Sequence, residues 1–294
     1  MNRLLFIYNP TSGKGRAAKD LSTILDVFTK AGWLTTVYPT QCKGDASRVA
    51  RELAPFFQRI VCAGGDGTLS EAVAGLMDVK DPPLLGYIPL GSTNDCATTL
   101  NLPKSPAKAA AIAAGEGIAC PSDIGRLNGR SFVYVAAFGA FSAVSYETPQ
   151  NMKNAMGHLA YIIEGVKRLP IGEKYPARVE VGDQVFEEEF LFCSISNTTS
   201  IGGFSLDKSV EATLDDGEFE VLLIKAPTSV AEANTIVSKL LARDFNNELI
   251  HLLHADSVTV HFPMPTKWTL DGEYGGEHTD VSVQVLANAL HMVF

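Results

Sequence analysis

Several things are scarce in this chain, and each scarcity excludes something. Its five cysteines (Cys42, Cys62, Cys96, Cys120 and Cys193) are odd in number, scattered, and without C-x-x-C spacing. That excludes a disulfide framework and a zinc site and leads us to expect a reducing, cytoplasmic setting. No block of lysine and arginine stands out and the formal net charge is −9, so nucleic acid is not an expected partner. An acidic chain is also not drawn strongly to anionic lipid surfaces, so any peripheral membrane contact is expected to be local. No run reaches the roughly 20 apolar residues of a membrane span, so no transmembrane segment is expected. The longest uncharged stretch, Ser131 to Tyr146, carries Gly and Ser. The apolar run Leu4 to Tyr8 is cut by Asn9-Pro10 and is too short for a signal-peptide core. Internal repeats, low-complexity tracts and long linkers are missing too.

What is present is ordinary globular composition, 46% hydrophobic and 19% charged, over 294 residues. That length is long for one core and predicts two domains. The buried run Arg3 to Tyr8 predicts a first strand of a parallel sheet. A helix follows through Leu21, Ile24, Leu25 and Phe28, then a strand at Leu34 to Tyr38. Asp45 is expected to cap a helix from Ala46 to Phe57. A third strand ends in Val61-Cys62-Ala63-Gly64-Gly65-Asp66-Gly67-Thr68, and its helix runs to about Leu76. A fourth strand, Leu84 to Ile88, is followed by an alanine-rich helix from Ser105 to Ala114. Four alternations in about 115 residues predict a doubly wound α/β domain, residues 1–121.

After Pro121 the pattern turns to strands: 132–137, 177–181, 184–196, 219–225, 257–262, 267–270 and 281–286. Helices are expected only at Met156 to Leu169, which is amphipathic, and at Val230 to Leu241. This second domain, residues 122–287, reads as a β-sandwich, with residues 288–294 returning to the first domain. His251 and His254 are expected in a helical or loop stretch, as part of a solvated face.

The chemistry concentrates in loops that follow the α/β strands, where such sheets bind ligands. Walker A is excluded, because Gly15 follows Gly13-Lys14 where Ser or Thr is needed and Tyr8 stands where its first glycine belongs. A Rossmann fingerprint is absent from the first turn. Asn9, Ser12, Gly13, Thr40, the Gly64 to Thr68 run and the Gly91 to Asp95 run instead offer hydroxyls, amides and glycine N–H groups to a polyphosphate. Asp66 and Asp95 would repel phosphate unless Mg²⁺ stands between, so these carboxylates imply metal.

Asn9-Pro10-x-Ser12-Gly13, Gly64-Gly65-Asp66-Gly67-Thr68, Leu90-Gly91-Ser92-Thr93-Asn94-Asp95 and Leu270-Asp271-Gly272-Glu273 together resemble the diacylglycerol kinase catalytic-domain family, in particular its bacterial lipid kinases. Asp123-Ile124-Gly125 and Asp215-Asp216-Gly217 extend the resemblance over nearly the whole chain. It implies an NAD kinase/phosphofructokinase-like nucleotide domain, a β-sandwich domain, and an active site in the cleft between them. It implies ATP, Mg²⁺ and phosphoryl transfer to a hydroxyl of diacylglycerol or a related lipid met at a membrane surface. ATP contacts are implied for Asn9, Ser12, Gly13, Thr40, Gly64, Gly65, Asp66, Gly67, Thr68, Leu69, Ser70, Ser92, Asn94 and Asp95.

By the same resemblance Asp271 is the base. Glu273, two residues on, would point the same way in an extended strand and share its network. Asp216 matches a structural Mg²⁺ site, with the carbonyls of Thr213 and Glu218, and Asp66 and Asp123 join a Mg²⁺ network at the reacting centre. The chain departs from the family where Gly91-Ser92 replaces Gly-Thr, Ser70 replaces Asn, and Cys96 replaces an aromatic. The hydroxyl at residue 92 keeps the nucleotide contact in type. Two alternatives stay open: a NAD kinase-like or other small-molecule kinase, and a non-catalytic nucleotide- or lipid-binding regulator. An exposed strand edge in the second domain suits a homodimer.

Overall fold

The computed structural model describes residues 2–91, 94, 96–97, 100–140, 174–197, 200–201, 204–205 and 215–294. The expected helix at Met156 to Leu169 lies outside them. Two compact units emerge: Met1–Ile124 with Ala287–Phe294, and Gly125–Leu286.

The first unit is a parallel sheet. β1 (Asn2–Tyr8) pairs with β2 (Trp33–Pro39) on one side and β3 (Arg59–Gly64) on the other. β3 pairs with β4 (Leu84–Pro89), and the end of the last strand of the chain adds beside β4 through Met292 and Val293. Leu4, Leu5, Phe6 and Ile7 are fully buried, as are Ile60 to Ala63, which is why these strands are continuous apolar runs. Helix α1 (Ser12–Lys30) and the helix Pro106–Ala111 cover one face, packing Ala17, Ile24, Phe28, Ala109 and Ala110 on Leu4, Phe6, Val61 and Ile88. By strand alternation Leu5 and Ile7 face the other side. There α2 (Asp45–Leu53) and α3 (Asp66–Leu76) pack on each other and on β1 and β3.

The α2–α3 contact is close. A Cβ on Gly75 would stand 2.1 Å from the Ser47 carbonyl oxygen, which is backbone and cannot step aside. Gly75→Ala is therefore expected to cost about 1–3 kcal/mol by overpacking, read as a lowered midpoint in thermal or urea unfolding.

Two expectations for this unit need correction. The second helix ends at Leu53, because Pro55 opens a short 3₁₀ turn, Ala54–Phe56. Asp45 is not the cap of α2. Gly44, with φ +83°, holds that position, and Asp45 lies in the first turn.

The second unit is antiparallel. β5 (Ala119–Leu127) and β6 (Arg130–Phe132) form a hairpin through Asn128-Gly129, both at positive φ, the two-residue turn that Asn-Gly favours. β7 (Val135–Gly139), β8 (Tyr175–Val181), β9 (Gln184–Ser196), the short hairpin β10 (Ser200–Ile201) and β11 (Phe204–Ser205), β12 (Phe219–Lys225), β13 (Ile250–Ala255), β14 (Ser257–Leu270) and β15 (Glu273–Val293) follow. β9 pairs with β8 through its first half and with β7 and β12 through its second. β14 likewise pairs first with β8 and then with β7. The circuit β7–β9–β8–β14 therefore closes, with two long strands passing from one layer to the other, as sandwiches do. Its core holds Phe138, with the rings of Phe262 and Trp268 at 4.8 and 5.0 Å, and Phe132 stacked on Phe219. The helix Val230–Ala242 seals the other side of β9 and β12. Ser229 caps it by accepting the Glu232 N–H, and Glu232 in turn accepts from the Thr228 N–H.

Here too the strands correct the reading of the sequence. Residues 257–270 are one strand, not two: pairing with β15 skips from His261 to Thr266, where Pro263 and Pro265 have no N–H to give. His251 and His254 lie on strand β13, not on a helix or loop. His254 is exposed, and the His251 ring rests 4.9 Å from that of Phe186, with burial lowering its pKa.

Candidate active site

The carboxyl ends of the four strands β1 to β4 lie in register: Tyr8 beside Pro39 and Ala63, and Gly64 beside Pro89. Their loops therefore leave the sheet together. The chain winds from β1 to β2 on one side, then returns across β1 to β3, so the direction reverses between β1 and β3. Such a switch point parts two adjacent loops and is where doubly wound sheets take ligands.

Each loop is held by its own hydrogen bonds. Asn9 donates its N–H to the Ala63 carbonyl (2.9 Å), while its side-chain oxygen accepts from the Thr11 N–H and hydroxyl at 3.0 and 2.8 Å. Ser12 and Gly13 then open α1. Thr40 donates its N–H to the Tyr8 carbonyl at 2.9 Å. The Gly64 carbonyl accepts from the N–H groups of Leu90 and Gly91 and from the Tyr87 hydroxyl. Gly65 is the N-cap of α3, so Asp66 and Gly67 present first-turn N–H groups and the positive end of an 11-residue helix, while the Thr68 N–H goes to the Gly65 carbonyl at 3.0 Å. The Asp66 carboxylate accepts the Cys96 N–H at 3.2 Å. Asn94, at φ +55°, brackets Gly91: its amide oxygen accepts the Gly91 N–H (2.9 Å) and its amide nitrogen donates to the Gly91 carbonyl (2.8 Å).

The structure thus gathers Asn9, Ser12, Gly13, Thr40, Gly64 to Thr68 and Asn94 at one end of one sheet. Ser70 is half-buried in the second turn of α3. Leu69 is different: its side chain is 1% exposed in the core and its N–H goes to the Gly65 carbonyl. Ser92 and Asp95 lie outside the described residues. Burial at the end of β3 pushes the Cys62 thiol up to about 12.

Two contacts at these loops left little trace in the sequence. Glu71 accepts the Gly44 N–H at 2.7 Å, tying α3 to the loop after β2. Asp45 accepts the Gln41 N–H at 2.9 Å and the Arg48 guanidinium at 2.5 Å, and these two hold its carboxyl below the usual range. The second unit, taken by itself, holds Asp271 by contacts just as hidden.

Asp271 and Gly272 have φ +50° and +78°, and Leu270 pairs with Glu273. This is a two-residue hairpin turn between β14 and β15. Unlike a surface turn, Asp271 is only 4% exposed. Its carboxylate accepts the backbone N–H groups of Val133, Tyr134 and Val135 at 2.8, 3.0 and 3.2 Å, and its own N–H donates to the Val135 carbonyl. Backbone donors carry no side-chain signature, so nothing in the sequence marks them. The turn also overturns the stated ground for pairing Glu273 with it. Two positive φ values separate the residues, so they do not share an extended strand, and Glu273 is exposed while Asp271 is buried.

Among the described residues, no three His, Cys, Asp or Glu side chains cluster as a metal site. A magnesium ion carried on phosphates needs only one or two protein carboxylates, and Asp66, beside the helix terminus, fits that donor set. Asp123 is 1% exposed and its carboxylate accepts the Asn288 N–H at 2.7 Å, where Asn288 takes φ +52°. Asp216 accepts the Glu218 N–H at 3.1 Å across a turn with Gly217 at φ +77°. Thr213 lies outside the described residues.

Residues 3–127 match the diacylglycerol kinase catalytic domain, and residues 135–294 match the YegS C-terminal NAD kinase beta sandwich-like domain. A diacylglycerol kinase of Bacillus subtilis (strain 168) is 35% identical over 277 residues, which are 94% of this chain and 91% of its own. The chain belongs to the diacylglycerol kinase family. A diacylglycerol kinase of Staphylococcus saprophyticus subsp. saprophyticus is 37% identical over 279 residues, 94% of this chain and 90% of that one. The crystal structure of a Bacillus anthracis str. Sterne protein assigned as a diacylglycerol kinase superposes with a TM-score of 0.84 at 25% identity, covering 100% of this chain and 95% of the other. As a diacylglycerol kinase family member the chain is a lipid kinase, with the two-domain architecture of that family. No described helix is long and apolar enough to cross a membrane.

Proposed function

We propose that this lipid kinase transfers the γ-phosphoryl group of ATP, with Mg²⁺, to a hydroxyl of diacylglycerol or a closely related lipid. The observation that carries the reading is the set of four in-register strand ends whose loops surround the N-terminus of α3 at the switch point. Backbone N–H groups of Asp66 and Gly67 and the hydroxyls of Ser12, Thr40 and Thr68 serve the ATP phosphates, with Ser92 a further nucleotide contact and Asp95 meeting them only through Mg²⁺. Asp66 would hold Mg²⁺, which would supply charge neutralisation for the phosphates. Asp216, with the carbonyls of Thr213 and Glu218, would hold a second, structural Mg²⁺.

Asp271 accepts the proton of the attacking hydroxyl. The three N–H donors on its carboxylate fix its orientation, and the reaction asks for positioning more than for a strong base. In a loose transition state the nucleophile's proton is lost late.

The test is transfer from γ-labelled ATP to diacylglycerol vesicles, with the product weighed by mass spectrometry. Label is expected in phosphatidic acid, lost with EDTA and restored by Mg²⁺. NAD belongs in a parallel reaction, because the second domain matches a NAD kinase beta sandwich-like domain. Label in NAD and none in lipid would reverse the assignment of acceptor.

A further inference from the structure

We propose that Glu71 is a positioning residue for the nucleotide: it locks the Thr40 to Gly44 loop to the helix that carries the phosphate-binding turn. The inference rests on the reading that ATP occupies these loops.

The loop has no apolar anchor. Gln41, Cys42, Lys43 and Gly44 are all exposed, so hydrogen bonds hold it in place. Its start is fixed where the Thr40 N–H meets the Tyr8 carbonyl and the Gln41 N–H meets the buried Asp45 carboxylate at 2.9 Å. Its end turns through Gly44, in the left-handed region, whose N–H meets the Glu71 carboxylate at 2.7 Å. Glu71 lies one turn along α3 from Gly67 and Thr68. One rigid helix therefore presents the cradle's N–H groups at its first turn and grips the neighbouring loop at its second. The spacing between Thr40 and the cradle is set by that grip, and Gly75 packed on Ser47 holds α2 and α3 at the same spacing. The bond needs an acceptor oxygen within reach and no negative charge, so glutamine can replace glutamate and alanine cannot.

Hydrogen exchange at the Gly44 amide reads this bond in the full chain, without turnover. Glu71→Ala is expected to speed that exchange about tenfold and to raise KM for ATP by about the same factor, with kcat changed about threefold or less and KM for the lipid unmoved. Glu71→Gln restores both to within about threefold. In the unmodified protein, saturating ATP slows the exchange.

Unchanged Gly44 exchange in Glu71→Ala, with circular dichroism showing it folded, would overturn the clamp. Faster exchange with KM for ATP unmoved would overturn its service to the nucleotide. Equal impairment of the alanine and glutamine variants would show that the charge acts, not the hydrogen bond, and would overturn it as well. If the unmodified chain neither bound ATP nor had the Gly44 amide shielded by it, the ATP reading itself would fall, while exchange in Glu71→Ala would still decide whether the clamp exists.

Discussion

Asp271→Asn is expected to lower kcat by about 10²–10⁴-fold while ATP binding stays near that of the unmodified protein. The two readouts separate because the substitution lies in the unit Gly125–Leu286, whereas the nucleotide loops belong to the other unit. An amide has the shape of the carboxylate but cannot take the hydroxyl proton. It also has only one acceptor oxygen. If that oxygen keeps the N–H groups of Tyr134 and Val135, the amide nitrogen must face the Val133 N–H, donor against donor. The variant is thus expected to lose about 1–3 kcal/mol of stability as well as activity. Circular dichroism at the assay temperature must show it folded before the rate is read. A folded Asp271→Asn protein with near-normal kcat would remove Asp271 from the proton transfer and leave it as the anchor of the 133–135 segment.

Part of this arrangement was legible in the sequence and part was not. The strand-end loops were legible because their chemistry is local. Glycine where backbones must approach, Asn and Asp where turns close, and apolar runs just before them all stand within a dozen residues of each other. The doubly wound order followed from the same alternation. What escaped were long-range bonds to the main chain. Val133 to Val135 donate to a carboxylate 136–138 positions away, and any residue but proline offers the same N–H. The Glu71 to Gly44 contact spans 27 positions and hides behind an unremarkable helical glutamate. On β13, Ile250-His251-Leu252-Leu253-His254 lacks strict alternation because both faces of this edge strand are only partly covered, so neither period shows. On β14 two prolines read as a break, and the strand absorbs them as a shift of register.

Gly91→Ala is expected to raise the Kd for ATP by about 10²-fold, because it forces two loops apart that touch through their backbones. A Cβ at residue 91 would lie 2.5 Å from the Gly65 Cα and 2.7 Å from the Asn94 amide oxygen. Gly65 is the N-cap of α3 and has no side chain to rotate away, so the backbone itself must give by roughly an ångström to reach ordinary contact. Movement of Gly91 strains its N–H bond to the Gly64 carbonyl (3.0 Å) and both bonds to Asn94. Movement of Gly65 instead tilts the first turn of α3, and with it that turn's N–H groups. Either way the fourth loop no longer meets the third. Gly64→Ala offers the contrast. Its Cβ would meet Thr68 Oγ1 at 2.4 Å, a side-chain atom, although the Thr68 Cβ at 2.6 Å leaves little room to turn. Calorimetric titration with ATP should therefore rank Gly91→Ala below Gly64→Ala in affinity, with both retaining cooperative unfolding. An alanine at residue 91 that bound ATP normally would mean that the two loops need not touch for the nucleotide to be held.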